Sequence, residues 1–269
     1  MSAPAVLFEV SEGIATLTLN EAERLNPLTP ALMTGCLQAL DRVHADDAIR
    51  VLVIAANGRG FCVDADLSDI KADAASAQIA ALMDTGGNPL VAGLRELPVP
   101  VVCAVHGAVA GGGVGLALAA DIVVAARSAY FYLPFVPALG LVPDMGSAWF
   151  MQRAIGPARA TGLALLGERL SAEQAAQWGL IWACVDDARL SEEVGRIATR
   201  LAALPAHAAL ETRALLRAAE RNSLPDQLRY ERERQCELAD GAAFAEGVAA
   251  FVGKRRPVFA ARTRGGGAS

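Results

Sequence analysis

The chain reads as an α/β protein, and three observations carry that reading. Apolar runs of strand length, RVLVIA from Arg50, VPVVCAV from Val99 and IVVAA from Ile122, alternate with stretches of helical patterning. Such runs show no polar alternation, as expected of strands covered on both faces by βα crossovers. Hydrophobic residues make up 54% of the chain but aromatic ones only 5%, an Ala, Leu and Val mixture that suits helices on buried strands better than a β-sandwich. At 269 residues the chain is long enough to bury a large core.

The elements follow in order. AVLFEVSEGIATLTLN holds two β-rich runs around Ser11-Glu12-Gly13, a hairpin with glycine at the turn. Thr29 and Pro30 supply an N-cap and a first-turn proline for a helix through ALMTGCLQALDRV. From Pro157 the pattern turns helical: ARATGLALLG, then a helix from Ser171, an N-cap with Gln174 at the third position, to the stop residue Gly179. After an apolar strand, LIWACV, residues 190–240 read almost wholly as helix, and a last short helix spans 244–251. Residues 1–195 are expected to form the core and 196–269 a C-terminal helical region, with RTRGGGAS as a disordered tail.

Composition excludes several classes. The net charge of −5 argues against general nucleic-acid binding. The charge is uneven: residues 1–195 carry 11 Lys+Arg against 21 Asp+Glu, and residues 196–269 carry 13 against 8. That split suits solvated helix faces or a C-terminal region that meets phosphates. The five cysteines are scattered and lack C-x-x-C spacing, so neither disulfides nor a metal site is expected. With no secretory signal in MSAPAVLFEVSEG, a cytoplasmic location is expected. Residues 99–120 carry no charge unless His106 protonates, yet five glycines and a proline interrupt them, so they read as core and not as a membrane span.

Inside that stretch lies VAGGGVGLALAAD, with Gly111, Gly112, Gly113 and Gly115 between a strand and a small-residue helix. The spacing matches neither a G-x-G-x-x-G dinucleotide loop nor a Walker loop. Two readings remain: backbone N–H groups bared for a developing negative charge, or close packing of helix on strand.

CAVHGAVAGGGVGLALAADIVVAARSAYF, with GRGFCVDADL upstream and LGLVPDMGSAW, GERLSAEQAAQWGLIWACVDD and GVAAFVGKRRPVF downstream, resembles the crotonase (enoyl-CoA hydratase/isomerase) superfamily in order over nearly the whole chain. Within it, residues 121–187 resemble most the branch of 1,2-epoxyphenylacetyl-CoA isomerases. The resemblance implies a crotonase-like ββα spiral core with a C-terminal helical region, an acyl-CoA substrate, no further cofactor, and homotrimers or dimers of trimers. It places two oxyanion N–H donors on Ala65 and Gly112, with Gly111 and Asp66 beside them in the substrate-contact set. Arg24 falls where relatives set a basic residue against the CoA phosphates, and Phe251 and Lys254 where family C-termini reach a neighbouring subunit's CoA. Asp64 departs from the small or neutral residue of many members; an extra carboxylate there would disfavour the anion site unless it turns away to cap the next helix.

Hydratases of the superfamily carry one glutamate two positions after the glycine triplet, here Gly115, and a second near Pro134-Phe135; residues 122–143 contain no acid at all. The remaining acid is Asp144, at a position where isomerases of the family move a proton between carbons of the acyl group. Phe131, Phe135 and Trp149, with Tyr132, Met145 and Phe150, are expected to line the acyl pocket. Asp144 is equally suited to N-cap the helix MGSAWFMQR. Dehalogenase-like use of Asp144 as a nucleophile, and a non-catalytic acyl-CoA-binding protein, are the other readings. FYLPFVPALG, Phe131–Gly140, runs one residue longer than its equivalent in close relatives. His106 and Asp121 are expected to bond backbone groups.

Overall fold

In the computed structural model, residues 3–65, 70–71 and 73–260 are described. The chain opens with the expected hairpin, β1 (Val6–Ser11) antiparallel to β2 (Ile14–Leu19), turning through Glu12 and Gly13 at positive φ. Thr29 then caps α1 (Pro30–Ala45), its side chain accepting the Leu32 N–H at 3.1 Å. β3 (Val51–Ala56) leads to α2 (Ala75–Leu82) and, through a wide π-type turn at Met83–Gly87, to α3 (Asn88–Glu96).

Two successive strand-strand-helix units follow. β4 (Val101–Val105), β5 (Ala108–Ala110) and α4 (Gly112–Leu118) form the first; β6 (Ile122–Ala126), β7 (Tyr130–Tyr132) and α5 (Ser147–Leu166) form the second. In each unit the first strand joins a six-stranded sheet and the second a three-stranded one. β8 (Leu170–Ser171), α6 (Ala172–Trp178) and β9 (Ala183–Val185) complete the sheets. The large sheet runs β1-β2-β3-β4-β6-β9, parallel except for the opening hairpin; the small one runs β5-β7-β8. The helix expected from Pro157 is the second half of α5, which bends at Gly156, where φ is 78°.

The unbroken apolar runs are explained by two-sided burial. Val51, Val53, Val102, Ala104 and Val124 meet Val194, Ile197 and Ala198 of α7 (Leu190–Ala202). The alternate residues Leu52, Ile54, Val101, Cys103 and Val105 enter the main core with Leu32, Cys36 and Leu40 of α1. Beyond α7 the long helical stretch breaks at Pro205 and Ser223 into α8 (Ala206–Ala219) and α9 (Leu224–Ala239), followed by α10 (Ala242–Val252). Part of the C-terminal positive surplus is structural. Arg213 of α8 donates to Asp121 and to the carbonyls of Leu97 and Val99, while Asp121 also accepts the Val101 N–H at 2.8 Å. No helix among the described residues is long and apolar enough to cross a membrane.

The units close on one another through glycines. A Cβ at Gly113 would stand 2.4 Å from the Cys62 carbonyl oxygen, and one at Gly115 would stand 2.3 Å from that of Met145. Backbone on both sides cannot retreat without moving a strand end or α5. Gly115→Ala is therefore expected to cost about 3 kcal/mol in chemical denaturation. Gly162→Ala, inside α5 with nothing within 4 Å of the added carbon, should be neutral or stabilise by up to about 1 kcal/mol.

Candidate active site

The site is built where the 57–65 segment crosses the start of α4. Gly111 leaves β5 at φ 53°, and its N–H donates to the Tyr132 carbonyl at 2.9 Å, which turns the chain into the helix. Residues 61–63 run alongside: the Ala110 N–H donates to the Cys62 carbonyl at 3.0 Å, and Val63 bridges to Pro27. Asn26 pins this segment from beneath. It is fully buried, and its Nδ2 lies 3.0–3.1 Å from the carbonyls of Asn57, Gly60 and Phe61. Nothing in the pattern Leu-Asn-Pro-Leu separates such a residue from a turn asparagine, so sequence reasoning passed it by.

The Ala65 and Gly112 amides are brought together, and they converge on the carboxylate of Asp64. Its Oδ1 accepts the Ala65 N–H at 2.8 Å, and the Gly112 amide lies close enough to favour the charged carboxylate. Asp64 does not turn away from this turn. Its side chain lies over Gly111, where an added Cβ would be 2.3 Å from Oδ2 and 2.5 Å from both Cβ and Cγ. Burial pushes the Asp64 pKa up despite the two amides, which pull it down.

Asp144 approaches the same turn from the other side. Its Oδ1 is buried with no hydrogen-bond partner among the described residues, 3.5 Å from where a Cβ on Gly112 would be. Capping by its side chain, the alternative role, is not what the structure shows: Gly146 occupies the N-cap of α5, and Ser147 donates through N–H and Oγ to the Asp144 main-chain carbonyl. Burial, and then the nearby Asp64 charge, push the Asp144 pKa up to about 7. The next residue, Met145, takes φ 51°, which is strained for a side chain of that size. It is held there against three glycines, Gly87, Gly112 and Gly115, each of whose added Cβ would come within 3.0 Å of it.

A cavity of about 390 Å³ opens beside the amide pair. Its wall includes Ala65, Leu28, Thr29, Met33, Ile70, Leu82, Thr85 and Gly86, from the start of α1 and the region around α2. Leu28 also packs on Gly112, its Cδ1 lying 2.6 Å from where a Cβ would be, so this wall and Asp144 border the same glycine. The expected aromatic lining is elsewhere. Phe131 and Phe135 are core residues, each 3% exposed. Trp149 stacks with Arg153, faces a second cavity between α3, α5 and α8, and lies edge-on to Phe150.

The other expected residues are dispersed. Arg24 ends an exposed single-turn helix, Ala22–Arg24; Phe251 stands 86% exposed on α10, and Lys254 follows it at φ 50°. None of these three lines the 390 Å³ cavity. Asp66 lies outside the described residues, as does the 262–269 tail. His106 bonds the Gly58 carbonyl through Nε2 at 3.0 Å. The long Phe131–Gly140 segment closes in a π-type turn, Phe135–Leu139, ended by Gly140 at φ 66°. A wide turn of this kind is how a chain absorbs one extra residue.

Two backbone amides from separate segments, a half-buried carboxyl whose pKa is pushed up to about 7 and an adjoining cavity thus lie together between the strand-strand-helix units. The chain belongs to the crotonase family: the Enoyl-CoA hydratase/isomerase family model matches residues 9–262. It is 44% identical to the 1,2-epoxyphenylacetyl-CoA isomerase of Escherichia coli strain K12, over 94% of this chain and 97% of that one. It is 39% identical to a probable enoyl-CoA hydratase of Rhodobacter capsulatus, over 97% and 100%. Among solved structures, a putative enoyl-CoA hydratase/isomerase from Mycobacterium abscessus superposes with a TM-score of 0.89 at 37% identity, covering 96% of this chain and all of that one. The protein is thus a crotonase-family acyl-CoA enzyme.

The Asp144 carboxyl has a measurable cost in the free protein. Its folded pKa of about 7 exceeds the ordinary 3.8, so the folded state binds the extra proton between those values, and the stability it gives is lost as pH rises toward 7. Asp144→Asn should therefore stabilise the protein by about 1–2 kcal/mol at pH 8 and leave it unchanged near pH 4, read from thermal midpoints at the two pH values.

Proposed function

We propose that the chain is an acyl-CoA isomerase working through a thioester enolate. The N–H groups of Ala65 and Gly112 hold the thioester oxygen, and Asp144 takes a proton from one carbon and returns it to another. The observation that supports this best is the state of Asp144: a single carboxyl, unpartnered at Oδ1 and titrating at about 7, borders the glycine whose amide would face the oxygen. A base of that pKa is about half ionised at neutral pH and gives its proton back readily. As the enolate forms, negative charge gathers on the oxygen, and two preorganised donors aimed at it are worth about 3 kcal/mol apiece.

The glycines speak for isomerisation over water addition. The space a side chain would need at Gly115 is filled by the Met145 carbonyl, so no carboxylate can stand there to activate water. Two acyl groups fit one reversible proton carrier: a ring epoxide of phenylacetyl-CoA opened to an oxepin, the class of the Escherichia coli relative, and a 3-enoyl chain moved to 2-enoyl. In the same reading Arg24 meets the CoA phosphates, and Phe251 and Lys254 of a neighbouring subunit reach the same CoA, in a homotrimer or dimer of trimers. Leu228, Phe244, Val248 and Val252, large and exposed on α9 and α10, supply apolar surface for such an assembly. A cytoplasmic location belongs to this reading, and all five cysteines are free.

The test is conversion of trans-3-hexenoyl-CoA and of 1,2-epoxyphenylacetyl-CoA, followed by chromatography. Asp144→Asn should lower kcat by about 10³-fold or more with KM nearly unchanged. Because the base must be ionised, kcat/KM of the wild type should rise about tenfold per pH unit below pH 6 and level off above 8. Full activity in Asp144→Asn contradicts the assignment, and rapid hydration of crotonyl-CoA with no isomerisation would replace it with water addition.

A further inference from the structure

We propose that the Asp64 carboxylate is a resident ligand of the oxyanion hole, and that an acyl thioester binds only by displacing it. The inference rests on the roles given above to Ala65 and Gly112, and adds a residue that sets how strongly the hole holds a substrate.

Three observations on separate atoms carry it. Asp64 Oδ1 accepts the Ala65 N–H at 2.8 Å, so that donor is already engaged, and the Gly112 amide faces the same carboxylate closely enough to favour its charged form. The side chain sits in a niche made by a missing one: a Cβ on Gly111 would come within 2.5 Å of Cβ, Cγ and Oδ2 of Asp64. Gly111 has a positive φ, which disfavours any other residue there. The carboxylate is thus seated in a cradle, with its own backbone one bond away from one of the donors.

Competition between the two oxygens follows from their charge. An ionised carboxylate accepts N–H bonds about twice as strongly as a neutral carbonyl, and Asp64, tethered beside Ala65, gives up little freedom to make them. The ground-state thioester is neutral and competes poorly. The enolate oxygen carries a full negative charge and competes on equal terms. Because the carboxylate leaves when the thioester binds and stays out while the enolate forms, its displacement costs the bound ground state and the transition state alike, which raises KM and leaves kcat unchanged. Among the described residues the other acidic group facing this turn is Asp144, and its elevated pKa is partly due to Asp64; replacing Asp64 should also shift the pH profile of Asp144 downward.

The experiment is a titration with trans-cinnamoyl-CoA, whose absorption band moves to longer wavelength when its carbonyl accepts strong hydrogen bonds. Wild type, Asp64→Gly and Asp64→Asn are compared, with folding checked by circular dichroism. Asp64→Gly should bind about tenfold more tightly than wild type, and Asp64→Asn, which keeps a neutral acceptor, about threefold more tightly. All three should show the red shift at saturation. Equal or weaker binding in both variants, with the red shift kept, overturns the proposal and leaves the hole intact. A missing red shift in every form overturns it differently, by removing the assignment of Ala65 and Gly112.

Discussion

The closeness of α4 to its neighbours governs the site. Its first turn presses on the Cys62 carbonyl at Gly113 and on the Met145 carbonyl at Gly115, with less than 2.5 Å left for any added carbon. Those two approaches fix the segment carrying Ala65 on one side and the segment carrying Asp144 on the other. Distances between donors and base are thereby set by backbone, which has no rotamers to lose. A single methyl group in this contact would move two elements that belong to different strand-strand-helix units.

Around that contact the electrostatics divide between two carboxyl groups with different partners. Asp64 has the Ala65 amide and lies half-buried over Gly111; Asp144 has no partner at Oδ1 and its pKa is pushed up to about 7. Each raises the cost of ionising the other, and only one of them can hold the two donors. Pairs of this kind separate the jobs of two chemically identical side chains. The strained φ of Met145, adjacent to Asp144, and the buried Asn26 beneath the 57–63 segment are the structural expense of holding the arrangement.

Much of the fold was legible because local signals agreed with the global pattern. The Thr29 and Ser171 caps, the Gly13 turn and the unbroken apolar strands each appear where the residues put them. Helix boundaries within 190–240 were not legible, since the breaks at Pro205 and Ser223 are weak signals inside a uniformly helical composition. At the site, the family resemblance singled out Asp144, Ala65 and Gly112 but left the Asp144 capping role open, because Pro-Asp before a helix suits both roles. The orientation of Asp64 was not legible: charge repulsion from an anion site was visible in the sequence, but the niche over Gly111 and the bond from the Ala65 amide exist only in three dimensions. Aromatic residues near Asp144 in sequence proved to be core or to face another cavity, since neighbours along a turn point to different sides of it.

The central claim is that the site makes an enolate with one base. It is tested most directly by incubating wild type and Asp144→Asn with phenylacetyl-CoA and 3-hexenoyl-CoA in deuterated water, and following the mass of each ester. The account predicts deuterium at the α carbon, and at the γ carbon of the enoyl ester, with wild type only. Exchange at the wild-type rate in Asp144→Asn, or product formed by wild type with no deuterium taken up when the released proton can reach solvent, would contradict it.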